Sequence, residues 1–202
     1  MLTETMQYTD PIFRFSLWFR TAVERSPGKW FDAAAMTLAT SSKSGEVTAR
    51  MVLLKQFGPD GFTFYTNYAS RKGRQLSENP HAAVVFHWPH LRRQVRIEGM
   101  VDVISREQAE VYFHSRPLLY QVAATVSKQS DVIPSRRFLL AEFKRLQESL
   151  ARQTVPLPKT WGGYRLRPDS FEFWRHRESR LHDRLRYRKS EGGTWIVERL
   201  AP

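Results

Sequence analysis

Apolar residues recur at three- and four-residue spacing through Ile12, Phe13, Phe15, Trp18, Phe19, Ala22 and Val23, the period of an amphipathic helix. Tyr8-Thr-Asp-Pro11 supplies its start, with Asp10 as N-cap and Pro11 at the first helical position. The period then falls to two. Residues 35–40, 47–55, 62–66, 82–88 and 93–104 read as strands, and turn-rich segments at 41–45 and 57–61 separate the first three. Gly99 interrupts the fifth, which predicts a bulge or a close approach of another backbone. A helical pattern returns at Ser105-Arg-Glu-Gln108, a capping-box sequence leading through Tyr112 and Phe113. Residues 117–126 read as a short helix and 135–152 as a longer one, with Phe138, Leu139, Phe143, Leu146 and Leu150 on one face. Val155-Pro-Leu-Pro158 ends it, and strand candidates follow at 163–166 with 171–174, at 181–187 and at 194–200.

Consecutive strands joined by short turns predict a mainly β fold, an antiparallel barrel or sandwich with helices packed around it, and not a βαβ sheet. No repeat or low-complexity linker divides the chain, and 202 residues at ~150 per domain suit one domain. Its parts are an N-terminal segment and helix (1–30), the barrel strands (33–104), a helical segment (105–152) and C-terminal strands (161–202). No apolar run reaches the ~18 residues of a membrane helix, and the N-terminus lacks a basic region followed by an apolar one. With no cysteine there is neither a disulfide nor a thiol nucleophile, so a cytoplasmic protein is expected.

Charge adds the first chemical signal. Lys and Arg number 32 against 20 Asp and Glu, a formal +12, which predicts an anionic partner. The cations are interleaved with aromatics inside strands and helix starts, a placement suited to small phosphorylated ligands at least as well as to a polyanion. Ser70-Arg-Lys-Gly-Arg74 opens a helix with Ser70 as N-cap, so Arg71 and Lys72 oppose the helix dipole by a few tenths to ~1 kcal/mol each. An anion bound between them and the free amides reverses that sign; a solvated basic turn is the plainer alternative. Arg180-Leu-His-Asp-Arg-Leu-Arg186 alternates, which predicts Arg180, His182, Arg184 and Arg186 on one strand face and Leu181 and Leu185 on the other. Four basic groups in line repel unless something negative is present, although a solvated outer face accounts for the pattern nearly as well. Arg50 and Lys55 bound an apolar strand and, five residues apart, point to opposite faces. The six His form no H-x-x-x-H or H-E-x-x-H pair, and no G-x-S-x-G or G-x-G-x-x-G motif occurs.

Taken in order, these blocks resemble one family, the pyridoxamine 5′-phosphate oxidases, FMN enzymes of vitamin B6 metabolism. The likeness runs from about Ala35 to Pro202. It rests on Arg50-Met-Val-Leu-Leu-Lys55, Phe64-Tyr-Thr-Asn67, Ser70-Arg-Lys72, Arg93-Gln-Val95, Tyr112-Phe-His-Ser-Arg-Pro117, Val126-Ser-Lys-Gln-Ser130, Pro156-Leu-Pro158, Trp161-Gly-Gly163, Glu172-Phe-Trp174, Arg180-Leu-His-Asp-Arg184 and Glu198-Arg-Leu-Ala-Pro202. The resemblance implies an FMN-binding split β-barrel that forms a homodimer with sites built from both subunits. It implies that Arg50, Met51, Val52, Leu53, Leu54, Lys55, Tyr65, Thr66, Arg71 and Lys72 line FMN, completed by Gln94, Gln129, Ser130, Trp174 and Arg184, several of them from the partner subunit. It further implies that Lys55, Tyr112 and Arg116 hold the substrate phosphate while Arg180 and His182 lie over the pyridine ring. The chemistry implied is oxidation of pyridoxamine or pyridoxine 5′-phosphate to pyridoxal 5′-phosphate, with O₂ as acceptor, peroxide as by-product and no metal.

Two positions depart from the family pattern. Where the family has Ser four residues after the phosphate-binding Arg, this chain has Tyr120, expected at the substrate phosphate pocket. The family's Arg-x-x-Tyr lid segment is also missing from the N-terminus. The competing readings are a related FMN oxidase of the phenazine-pathway type acting on another ring, and a non-enzymatic binder of flavin or B6 phosphate. A nucleic-acid module is disfavoured, since no helix-turn-helix, zinc-finger or RNP-like block is present.

Overall fold

The computed structural model describes residues 9–150 and 154–202; Tyr8 and the expectation about an N-terminal lid segment, with residues 151 and 152 of the expected long helix, lie outside them. Helix α1 (Pro11–Glu24) begins where the sequence predicts, the Asp10 carboxylate accepting from the amides of Ile12 (2.8 Å) and Phe13 (3.3 Å). Nine strands follow: β1 (Ala35–Ser41), β2 (Val47–Leu53), β3 (Gln56–Gly58), β4 (Gly61–Asn67), β5 (His81–Trp88), β6 (Arg93–Val103), β7 (Trp161–Arg175), β8 (Asp183–Lys189) and β9 (Trp195–Arg199). Between them lie α2 (Arg71–Glu78), α3 (Arg106–Ser115), α4 (Leu118–Val126) and α5 (Arg136–Leu150). No helix among the described residues is long and apolar enough to cross a membrane.

All strands pair antiparallel in one curled sheet of order β2-β1-β5-β6-β7-β4-β3, with β8 also on β7 and β9 on β8. The split arises in β7. Its first half, Trp161 to Leu166, pairs with β4, its second, Ser170 to Arg175, with β8, and β6 runs along both. The register between β6 and β7 shifts between Glu98 and Gly99, the bulge expected there. A Cβ on Gly99 would stand 2.0 Å from the Arg167 carbonyl oxygen, so only glycine lets the two backbones meet.

The core is aromatic. Phe15 of α1 meets Phe57, Phe62 and Phe86 edge-on with ring centroids at 5.0, 4.9 and 5.0 Å, closing the barrel on that side. A second cluster of Phe113, Val122, Val155 and Trp161 seats the helical segment against β7.

Several boundaries differ from the sequence reading. The second strand stops at Leu53, and residues 56–58 form a separate strand that makes a hairpin with β4 around Pro59-Asp60. The two candidates at 163–166 and 171–174 are one strand, because the ladder with β6 continues through Pro168, paired with Gly99, and the bulge takes up Asp169. Phe138 is exposed while Leu139, Phe143, Leu146 and Leu150 are half-buried, so the packed face of α5 excludes it. The last basic strand begins at Asp183, not at Leu181; Arg180 sits in a short 3₁₀ turn at φ +61°, and Leu181 is 69% exposed.

Candidate functional site

A cleft of about 1020 Å³ opens between β2, the end of β4, the start of α2 and the helices α3 to α5. Its lining includes Arg50, Met51, Val52, Leu53, Lys55, Tyr65, Thr66, Lys72, Tyr112, Arg116, Tyr120 and Gln129, twelve of the residues singled out from the sequence. Arg50 and Lys55 therefore face one cavity. The expected opposition fails because the strand ends between them, where the Lys55 amide turns to donate to the Thr63 carbonyl. Leu54 departs as well: its side chain is 5% exposed in the barrel core and its amide donates to the Ala34 carbonyl, so it does not line the cleft.

At the helix start, Ser70 caps α2 by accepting from the Gly73 amide. Lys72, 7% exposed, donates from Nζ to Gln129 Oε1 (2.7 Å), Thr66 Oγ1 (3.0 Å) and Ser70 Oγ (3.2 Å), all neutral acceptors. Burial, reinforced by the neighbouring Arg50, lowers its proton affinity from the ordinary 10.5 to about 8. Arg50 donates to the Leu38 carbonyl (3.1 Å), to Thr40 Oγ1 (2.7 Å) and to Thr48 Oγ1. Thr40 and Thr48 both donate in turn to Gln75 Oε1. Burial and then Arg71 lower the proton affinity of Arg50 too. Arg71 pairs with exposed Glu46, and its amide donates to Ser130 Oγ (3.2 Å). Two cations, Arg50 and Lys72, thus converge on a helix N-terminus with neutral partners only, an electrostatic arrangement that a bound phosphate would stabilise.

A second anion-seeking position lies across the cleft. Tyr65 and Tyr112 stack at 3.9 Å, Tyr65 and Trp161 at 5.5 Å, and the Arg116 guanidinium lies 5.0 Å from the Trp161 ring centroid. Burial, with Tyr112 beside it, pushes the Tyr65 hydroxyl up, so it stays protonated. Arg116 donates from Nη2 to the Tyr120 carbonyl (2.9 Å), whereas its buried Nη1 has no partner among the described residues. Tyr120 itself is 60% exposed at the cleft edge. Exposed Met51 and Leu53, with Leu139, Leu140 and Phe143 of α5, supply flat apolar walls suited to a ring system.

The remaining expected residues stand elsewhere on the sheet. Gln94, Trp174 and Arg184 are register partners in one row across β6, β7 and β8, outside the cleft lining. The negative charge that the basic strand calls for comes partly from the chain itself. Arg184 donates from Nε (2.8 Å) and Nη2 (3.0 Å) to Glu172, Arg186 pairs with Glu198 at 2.7 Å, and Arg184 Nη1 reaches the Ala201 carbonyl. The bidentate bond to Arg184 holds the Glu172 carboxyl below its usual range. His182 lies 4.7 Å from the Trp174 ring, and its Nδ1 accepts from the Arg177 amide, which leaves Nε2 to carry the proton in the neutral ring. Arg180 does not share a strand face with His182, since the 3₁₀ turn carries it off the ladder. Glu172, Gln75 and the α5 wall were not read as functional from the sequence. Glu172 could have been sought as the one carboxylate beside an aromatic pair on the strand facing the basic one; no sequence signal marks Gln75.

Comparison with known proteins follows the same outline. Residues 30–149 match the family described as pyridoxamine 5′-phosphate oxidase, and residues 161–202 match the pyridoxine 5′-phosphate oxidase C-terminal dimerisation region. A pyridoxine/pyridoxamine 5′-phosphate oxidase of Rhodopirellula baltica is 48% identical over all of this chain and 91% of its own. The pyridoxine-5′-phosphate oxidase of Bos taurus is 47% identical over 96% of this chain and 78% of its own. Among solved structures, PhzG of Burkholderia lata in complex with tetrahydrophenazine-1-carboxylic acid superposes with a TM-score of 0.88 at 30% identity, covering 97% of this chain and 96% of that one.

Proposed function

The chain belongs to the pyridoxamine 5′-phosphate oxidase family, and from that membership we propose that it oxidises pyridoxamine or pyridoxine 5′-phosphate to pyridoxal 5′-phosphate with FMN held in the cleft. One observation carries the reading: the cleft has two separate positions short of an anion, the Arg50/Lys72 pair at the start of α2 and the unpartnered Nη1 of Arg116. A flavin phosphate and a substrate phosphate suit them respectively. FMN, when bound, would supply the two-electron acceptor for this oxidation, with O₂ as the final acceptor and peroxide as by-product.

In this reading Arg50, Lys72 and the first amides of α2 bind the cofactor phosphate, with Gln129 and Thr66 holding Lys72 in place. Met51, Val52, Leu53 and Tyr65 flank the ring system and exclude water. Lys55, Tyr112 and Arg116 take the substrate phosphate, with Tyr120 at the rim. Gln94, Trp174, Arg180, His182 and Arg184 act on the partner subunit's cleft. Their place outside the lining of their own chain's cleft and the match of 161–202 to a dimerisation region both favour a homodimer. There His182 Nε2 exchanges a proton with the substrate amine or alcohol, and Arg180 orients the ring.

The phenazine alternative draws on the structural likeness at 30% identity, against 47–48% for the B6-phosphate oxidases. The test is the visible spectrum of the purified protein followed by incubation with pyridoxamine 5′-phosphate in air. A flavin spectrum and aldehyde formation are expected. Colourless protein that takes up no FMN would remove the reading, and flavin without aldehyde formation would favour another ring substrate.

A further inference from the structure

Arginines from α1, β6 and β7 gather around Trp18, and none of them lines the cleft. Arg93 of β6 and Arg175 of β7 are direct register partners, a like-charge pair across adjacent strands. Arg14 and Arg93 both lie over Trp18, at 5.7 and 4.6 Å from the ring, and Arg14 also lies 5.2 Å from the Phe173 ring. Arg25, the C-cap of α1, adds to the positive field at Arg93. Among the described residues no carboxylate stands within 4.0 Å of any of them; Asp183, the register partner of Arg175 on β8, is taken by Arg177 and Arg199. Arg14 Nη1 donates to the Tyr187 hydroxyl (3.1 Å), but its Nε is buried with no partner among the described residues.

We propose that Arg14, Arg93 and Arg175 form a second anion site, which binds one phosphate-type oxyanion against the Trp18 ring. A buried guanidinium N–H without an acceptor is costly, and guanidinia that face one another repel. A tetrahedral oxyanion answers both at once, because its oxygens accept from several planar donors in a compact space. Aromatic rings beneath the guanidinia hold them flat and limit their hydration. The electrostatics agree: burial and then Arg175, Arg25 and Arg14 lower the proton affinity of Arg93. The direct register pairing of Arg93 with Arg175 fits a single phosphate group and not an extended polyanion.

The test is phosphorus NMR titration of inorganic phosphate into the full-length protein saturated with FMN and pyridoxal 5′-phosphate. Saturable broadening at millimolar phosphate is expected, weakened at least about tenfold in the Arg93→Gln/Arg175→Gln double variant and severalfold in Arg175→Gln alone, whose exposed side chain can be changed without disturbing the core. Arg116→Met reports any phosphate entering the main cleft and is expected to leave this signal unchanged. Absence of saturable binding, or binding lost in Arg116→Met and retained in the arginine double variant, would overturn the proposal. Dissociation of subunits in Arg175→Gln with unaltered phosphate binding would instead assign the cluster to the other subunit's acidic groups, and would equally overturn it.

Discussion

Replacing Lys72 by methionine removes a buried cation, and the outcome for stability depends on pH in a direction the structure fixes. In the apoprotein the proton affinity of Lys72 is lowered from 10.5 to about 8, chiefly by burial and secondly by Arg50. At ~1.4 kcal/mol per tenfold, this difference corresponds to ~3 kcal/mol. Below about pH 8 both folded and unfolded chains hold the proton, and the folded state bears the whole cost of the buried charge. Between about 8 and 10.5 the unfolded chain keeps a proton that the folded one has released, so stability rises with pH across that window. A thioether cannot titrate, which makes the wild-type minus Lys72→Met difference the quantity to follow. Urea unfolding of both FMN-free proteins should show it growing in favour of wild type by ~3 kcal/mol from pH 8 to 10.5. The bonds lost from Nζ to Gln129, Thr66 and Ser70 shift the difference by a constant and leave its slope intact. Cofactor binding should invert the trend. A phosphate beside Lys72 restores its proton, so wild-type affinity for FMN, read by flavin fluorescence, should fall as pH climbs past about 8 while that of Lys72→Met stays flat. Parallel stability differences at all pH values, together with identical FMN pH profiles, would refute the assignment of Lys72 as a desolvated cation awaiting an anion.

The other tests are simpler. Arg116→Met deletes the unpartnered Nη1, and should raise the KM for pyridoxamine 5′-phosphate ten- to a hundredfold, equivalent to ~1.5–3 kcal/mol, with the flavin spectrum unchanged; an unaltered KM would take Arg116 out of substrate binding. His182→Ala should lower kcat with FMN retained, and loss of flavin would place the residue in the cofactor shell instead. Tyr120→Ser leaves intact the backbone carbonyl that holds Arg116, so steady-state kinetics should show substrate binding tightened by ~1 kcal/mol, and abolished activity would point to a pocket shaped for another ring. Gly99→Ala forces a Cβ against the Arg167 carbonyl and should cost ~3 kcal/mol or more in thermal or urea unfolding; a neutral effect would mean that β6 and β7 can separate freely at the bulge.

Much of this protein could be read from residue order alone, wherever a property depends on neighbours in sequence. The Asp10 and Ser70 caps, the bulge at Gly99 and the series of antiparallel strands are local: a side chain meets an amide two or three residues away, or a glycine marks a place where another backbone comes close. The cationic start of α2 was legible for the same reason, since a helix dipole acts over one turn. Periodicity misled where an element ended. Arg50 and Lys55 share a cleft because the strand stops between them, and Arg180 leaves the ladder because a 3₁₀ turn intervenes. Alternation predicts faces only while the ladder continues, and what stops it is pairing with distant strands, which spacing does not encode. Only the tertiary structure decided that Gln129 reaches Lys72 across 57 positions, that Glu172 neutralises Arg184, and that Arg14 of α1 and Arg93 of β6 meet over Trp18 with no carboxylate beside them among the described residues. Charges interact through space, so their balance at a site depends on which strands lie side by side, not on the net +12 of the chain.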